Sequence, residues 1–257
     1  MQSFDAYVWD ILPPAPALPP HEQMALEEVL LEQVAGGERA PTLRLWEWTE
    51  RALVLGSHQV LANEVDLDAA SELGYHVCRR MSGGGTMIVE PARSITYTLV
   101  APQQLVSGLS FVESYAMLDG WVVDCLRSLG VPAAYRPIND LVSPEGKIGG
   151  AAQARRRGIV LHHTAIAYEM DPDIVPRLIR IGRDRVSQAG VRSAEKRVSP
   201  LARWTSLSRD EVQSRLLAWF AALAPTRPVR LDEETLGDSR RLAERKYARA
   251  DWIDRLH

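Results

Sequence analysis

The segment RRMSGGGTMIVE, residues 79 to 90, sets Arg79, Arg80, Ser82 and the three glycines Gly83, Gly84 and Gly85 between two runs that read as strands, 75 to 80 and 86 to 89. Three successive glycines cost conformational entropy that a simple chain reversal does not require, since one or two residues suffice for a hairpin. Bare backbone beside two guanidinium groups suits a ligand that lies along the chain and carries a phosphate or a carboxylate. A phosphate loop of the Gly-Lys-Ser/Thr kind does not fit, because the glycines run into Thr86-Met87-Ile88-Val89, a strand pattern where a helix is required. A dinucleotide fingerprint fails on the same ground. A flexible hairpin tip with solvated arginines accounts for the same residues without any ligand.

A second segment, NDLVSPEGKIGGAAQ, covers residues 139 to 153. Lys147 stands just before Gly149, Gly150 and Ala151, so its neighbours carry almost no side-chain bulk and backbone can approach a ligand closely. An ammonium held there can neutralise a carboxylate and an α-phosphate together; the commoner fate of a single lysine is a solvated surface position. His163 falls on the strand face of Leu161, Ala165 and Ala167, which suits either a hydrogen-bonded core histidine or a catalyst. The triple arginine at 155 to 157 reads as a solvated turn.

These groups need a scaffold, and the chain supplies one of mixed character. The proline-rich stretch ILPPAPALPP, 11 to 20, is expected to lie extended on the surface. A helix with one apolar stripe follows from about 21, then strand-like runs at 42 to 48 and 52 to 58 joined by a short polar turn, and a helix over 66 to 73. Beyond the glycines come a strand at 94 to 100, a long helix over 111 to 130 stopped by Gly130 and Pro132, and two antiparallel strands within 147 to 170 that turn at 156 to 158. Ser208 and Glu211 have capping-box spacing, and a last helix is expected over 233 to 245. Strands in hairpin-like groups point to an α+β fold with mixed or largely antiparallel sheets flanked by helices.

Composition narrows the function classes. The chain has 257 residues and a net charge of −3, which gives no global electrostatic case for nucleic acid, although arginine is dense from 155 to 197. Cys78 and Cys125 are the only cysteines, too few for a zinc cluster or a disulfide framework. No run of about twenty apolar residues and no secretory leader is evident, so a cytoplasmic protein without membrane partners is expected, built over 1 to 257 as one large domain or one domain with a small appendage.

Taken together, RRMSGGGTM, then NDLV…GKIGGAAQARRRG, then LHHTAIA resemble the lipoate-protein ligase A family of the biotin/lipoate ligase superfamily, supported by EQMALEEVLL, LRLWEWTERALVLGSHQ, NEVDLDAASELG and ERKYARADWI. The resemblance implies a class II synthetase-like catalytic domain and a two-step acyl transfer. Lipoate's carboxylate attacks the α-phosphate of ATP, giving lipoyl-AMP and pyrophosphate, and an acceptor lysine then displaces AMP. It further implies Lys147 as the catalytic residue. Arg79, Arg80, Ser82, Gly83, Gly84, Gly85, Gly149, Gly150, Ala151 and His163 become the lipoate and lipoyl-AMP site, and Asn139 and Asp140 the nucleotide site, with Asp140 as a Mg2+ ligand. The implied partners are lipoyl domains of 2-oxoacid dehydrogenase E2 subunits and the glycine cleavage H protein. Many such ligases carry a C-terminal domain beyond KYARADW, so the resemblance implies either a separate accessory protein or an enzyme that performs only part of the reaction. The chain departs from the family in Met87-Ile88-Val89-Glu90, where Val-Tyr-His-Asp is frequent, and in Thr164, where glycine is common. Two alternatives stay open. One is an octanoyltransferase of the same fold, which works through a cysteine thioester that neither Cys78 nor Cys125 is well placed to form; the other is a non-catalytic binder of lipoate or its adenylate.

Overall fold

The computed structural model describes residues 3 to 194 and 196 to 257. The elements in chain order are β1 Trp9–Leu12, α1 Pro20–Gly36, β2 Thr42–Leu45, β3 Ala52–Leu55, α2 Leu61–Glu64, α3 Leu67–Glu72, β4 His76–Arg79, β5 Met87–Val89, β6 Ser94–Pro102 and α4 Phe111–Ser128. They continue with β7 Ala134–Arg136, β8 Asp140–Ser143, β9 Gly146–Arg156, β10 Ile159–Ala167, α5 Val175–Leu178, α6 Arg209–Leu223, β11 Thr226–Pro228, α7 Glu233–Leu242 and α8 Ala250–Ile253. Eight strands form one sheet in the order β11-β1-β2-β6-β10-β9-β8-β7, and three form a second in the order β4-β3-β5. The large sheet is antiparallel from β2 to β7, with β1 parallel to both of its neighbours. This is the α+β, largely antiparallel architecture expected from the sequence.

Both faces of the large sheet are covered, and strand periodicity shows how. On one face Tyr97, Leu99, Val160 and Ile166 pack with Trp121, Val122 and Leu126 of α4 and Leu216 and Phe220 of α6. On the other, Val100, Ile159 and Leu161 pack with Leu26, Leu30, Leu31 and Val34 of α1. Successive residues of β6 and β10 therefore enter opposite cores, each fully buried leucine being worth roughly 1.5 to 3 kcal/mol relative to exposure. His162 and His163, adjacent on β10, must likewise face opposite layers. α1 begins at Pro20 in its first turn and ends at Gly37 in the left-handed region (φ 76°), a stop that favours glycine. α4 and α6 start on complete capping boxes, Ser110 with Glu113 and Ser208 with Glu211.

Three expectations need correction. The runs at 42 to 48 and 52 to 58 do not pair: β2 lies against β1 and β6 in the large sheet, and β3 is the centre of the small one. Nor do β4 and β5 make a hairpin, since both pair with β3, β4 in parallel and β5 antiparallel. Local turn signals cannot reveal a strand inserted between two sequence neighbours. The proline-rich stretch is extended but not wholly superficial: Leu12 closes β1 in the core and Leu18 is buried against α1. The last helix keeps its α geometry to Leu242 and continues as a π turn, Ala243–Tyr247.

Candidate functional site

Because β3 separates β4 from β5, the chain from 80 to 86 must cross the end of β3, two strand spacings or roughly 10 Å. That crossing is what the glycines serve. Gly56, just past β3, lies so close beneath the loop that a Cβ there would come within 2.0 Å of the Gly84 carbonyl oxygen, and Gly84 itself takes φ 88°. Arg80 organises the crossing. Its guanidinium donates to the Gly83 oxygen (2.6 Å), the Gly85 oxygen (2.7 Å), the Val54 oxygen (2.8 Å) and Ser82 Oγ (3.0 Å). Burial pulls its pKa down to about 10, still high enough to keep the charge at neutral pH.

A directed chain of hydrogen bonds runs on from Arg80. Ser82 Oγ lies 2.8 Å from His163 Nε2, and His163 Nδ1 lies 3.3 Å from Glu27 Oε2. Burial depresses the His163 pKa, so the ring is neutral at pH 7; Glu27 draws the opposite way. The carboxylate only accepts, so Nδ1 carries the proton and Nε2 accepts from Ser82. Glu27 is held in turn by Arg44 Nη1 (3.2 Å) and by the Thr98 hydroxyl (2.7 Å). Serine, histidine and glutamate in this order have the connectivity of a nucleophile, base and acid. Ser82, however, is only 1% exposed and is not among the residues that line the cleft described next. The chain therefore orients Arg80 and the glycine crossing.

The cleft, about 420 Å³, lies between this crossing, β9 with β10, and residues 191 to 194 together with Lys196 and Val198. Its polar centre is Asp140, whose Oδ1 is 3.0 Å from Lys147 Nζ and whose Oδ2 accepts from Lys196. Gly150 makes room for the ammonium: a Cβ there would sit 2.6 Å from Lys147 Nζ. Burial lowers the Lys147 pKa, and Asp140 partly offsets this. Burial alone would raise Asp140, but Lys147 and Lys196 outweigh it and hold the carboxyl below its ordinary value. Met170, Val175, Ile179, Ile181 and Val191 supply an apolar wall. An apolar slot beside a cationic centre fits an aliphatic acid bearing an anionic head.

Of the residues singled out in the sequence, Arg80, Gly84, Gly85, Asn139, Asp140, Lys147, Gly149, Gly150, Ala151 and His163 line this one cleft. Ser82 and Gly83 stand behind it. Arg79 points elsewhere, donating to the oxygens of Gly56 (2.8 Å), Gln59 (2.7 Å) and Ile253 (2.8 Å), so it ties the C-terminal segment to the turn under the crossing. Asp140, the residue expected to hold Mg2+, has an ammonium group at each of its oxygens, Lys147 at Oδ1 and Lys196 at Oδ2. Sequence reading missed Lys196, Arg192 and Ser193, which reach the cleft from a segment without periodicity. Ser193 Oγ accepts from the Thr86 amide (2.9 Å) and Gln59 Nε2 (3.2 Å), fastening that segment to the crossing. The glycine at 190 was the available signal, since a Cβ there would lie 2.7 Å from the His58 oxygen.

Residues 19–221 match the family model described as the lipoyl protein ligase A/B catalytic domain. An octanoyltransferase LipM from Kyrpidia tusciae is 30% identical over 257 residues, covering 89% of this chain and 92% of that protein. Further relatives at 26% to 28% identity bear the same name. The lipoate-protein ligase A subunit 1 of Thermoplasma acidophilum is 26% identical, with 89% and 90% covered. In fold, the chain is similar to a solved bi-partite lipoate protein ligase from Thermoplasma acidophilum, studied with its E2 lipoyl domain: TM-score 0.80, 24% identity, 97% of this chain and 98% of that one covered.

Proposed function

Since the chain belongs to the lipoyl protein ligase A/B catalytic domain family, we propose that it joins a medium-chain acyl group, lipoyl or octanoyl, to a lysine of a lipoyl domain by way of an acyl-adenylate. The observation that carries this reading is the make-up of the cleft. Arg80, Lys147 and Lys196 converge on it with Asp140 as their one carboxylate among the described lining residues, and no thiol lines it. Cys78 lies buried in β4 with its pKa pushed up to about 12, and Cys125 lies buried in α4 with its pKa pushed up to about 11, both by burial. Neither is a thiolate at neutral pH, and the thiolate is the nucleophile.

In the first step a carboxylate oxygen of the fatty acid bonds to the α-phosphorus of ATP and the bond to pyrophosphate breaks. Lys147, beside Asp140, stands where it can meet the charge on the carboxyl-phosphate centre, and the positive charge of Arg80 adds to the field at the glycine crossing. In the second step the acceptor amine bonds to the acyl carbon, the bond to AMP breaks, and the amine gives up a proton. The protein's part is positioning and charge stabilisation. The likeness to subunit 1 of a two-subunit ligase supports a second polypeptide as a partner in adenylation.

The names of the relatives favour a second reading, transfer of octanoate from a carrier without ATP, over the ligase. Exchange of labelled pyrophosphate into ATP, with lipoate or octanoate and with the companion subunit supplied, separates the two. Acid-dependent exchange is expected. No exchange, together with octanoyl transfer from acyl carrier protein, would establish the transferase, and an acyl group found by mass spectrometry on Cys78 or Cys125 during turnover would give it a thiol route.

A further inference from the structure

At the start of α4 and in the loop before β8 three large apolar side chains stand in solvent: Phe111 at 58% exposure, Val112 at 38% and Ile138 at 60%. They belong to one corner of the fold. The Tyr135 hydroxyl lies within hydrogen-bonding distance of both the Val112 oxygen (3.1 Å) and the Ile138 oxygen and can donate its one proton to either, which joins the start of α4 to the loop leaving β7. Ile138 also lines the cleft and precedes Asn139 and Asp140, so the corner runs directly into the reacting centre. The rim is cationic. The Arg155 guanidinium lies 4.4 Å over the Phe111 ring and donates to Ser114 Oγ (2.8 Å), and Arg136 is exposed on β7. Neither arginine forms an ion pair with a described residue, whereas the carboxylate of Glu113 is engaged in the α4 cap, accepting from the Ser110 amide (2.8 Å). β7 is moreover the outer strand of the large sheet, with backbone groups unpaired on one side.

We propose that this corner, Phe111, Val112 and Ile138 rimmed by Arg136 and Arg155, is the docking surface for the acceptor: a folded domain that presents its lysine beside acidic residues. The proposal rests on the acyl-to-lysine reading of the site. Apolar anchors at the centre of a patch with complementary charge at its edge divide the work of recognition, the anchors slowing dissociation and the arginines speeding encounter. The position suits the chemistry, because a lysine carried in over Ile138 meets the cleft at Asp140 and Lys147.

The test is calorimetric titration of an unmodified E2 lipoyl domain into the wild-type protein, Phe111→Ser, Arg136→Glu and the control Leu223→Ser. Leu223 is exposed near β11, at the opposite edge of the same sheet. Kd for the domain should rise about tenfold or more in Phe111→Ser. In Arg136→Glu it should rise as well, and the difference from wild type should shrink at high salt. Leu223→Ser should bind like wild type, and acid-dependent pyrophosphate exchange should be unchanged in all three. Unaltered affinity in both corner variants overturns the proposal. So does a wild-type dimer in solution that Phe111→Ser makes monomeric without affecting the domain's affinity, which would assign the corner to a second copy of the chain. Absence of exchange in the wild type would sink the ligase reading alone, and the titration would still decide the docking surface.

Discussion

His162 and His163 are neighbours in sequence, each faces a carboxylate, and they do different things. His162 Nε2 lies 2.8 Å from Asp119 Oδ1, which also accepts from Thr164 Oγ1 (2.7 Å) and from the Tyr97 hydroxyl, all beneath α4 and sealed from solvent. His163 is also nearly sealed, but its far nitrogen reaches Ser82 and through it Arg80, so its layer opens on the cleft. The pleat of a single strand thus separates a polar cluster sealed under α4 from one that borders the cleft. Residue type does not tell them apart; what lies beyond the second nitrogen does. The difference implies that damage on the α4 side should appear as lost stability, and damage on the cleft side as lost rate.

The largest effect is expected from Asp119→Ala. It strips the shared acceptor from Tyr97, His162 and Thr164, all fully buried, and each buried donor left without a partner costs about 1 to 3 kcal/mol. Urea unfolding should show that loss, while acyl transfer per folded molecule at low temperature stays near normal. A stable Asp119→Ala protein with a slow chemical step would dissolve the distinction between the faces. Lys147→Ala is the counterpart on the open side. Removing an ammonium from the charge-developing centre should cost on the order of 3 kcal/mol of transition-state stabilisation, roughly a hundredfold in rate. Lys196 still pairs with Asp140 in this variant, so the loss of stability should be smaller than in Asp119→Ala. Acyl-adenylate formation near the wild-type rate in this variant would remove Lys147 from the mechanism.

Ser82→Ala sharpens the comparison at the point where the two readings of the His163 chain diverge. As a link that orients Arg80, Ser82 is worth about 1 kcal/mol of stability, and the variant should keep most of its activity with a modest rise in KM for the acid. As a nucleophile in a serine triad its loss would cost many orders of magnitude. Steady-state kinetics of the folded variant decide between them.

Much of this was legible in the sequence, for reasons that particular residues make plain. The β9–β10 turn and the capping box at Ser208 are local patterns, and local patterns survive folding. Arg80, Lys147 and the two glycine segments announced themselves by combining charge with missing bulk. What could not be read is what depends on chain order in space. β3 sits between β4 and β5, so the three glycines serve a crossing rather than a tip. Lys196, remote from Lys147 in sequence, gains its meaning only when its segment lies over β9 and its ammonium meets Asp140. Asp119, mid-helix, gives no sign that Tyr97, His162 and Thr164 will converge on it. Arg79 misleads for the opposite reason: it stands beside Arg80, and strand alternation turns it away from the cleft.

The smallest effect concerns protons, and again only the open side should respond. Burial and the neighbouring cations Lys196 and Arg80 lower the Lys147 pKa below the ordinary 10.5, and Asp140 opposes them. Adenylation uses the protonated amine, so its rate should fall as pH rises through that lowered value, earlier than for a solvent-exposed lysine. Lys147→Arg keeps the charge at high pH and should erase this alkaline limb, even where it lowers the rate overall. Lys196→Ala removes a cation that disfavours the Lys147 ammonium and leaves Asp140 to serve it alone, so the limb should move to higher pH. His162→Gln, beneath α4, should leave the limb where it is. The measurement is the pH dependence of pyrophosphate exchange in these three variants, and a limb that shifts in His162→Gln but not in Lys196→Ala would place the titrating group outside the Lys147–Asp140–Lys196 cluster.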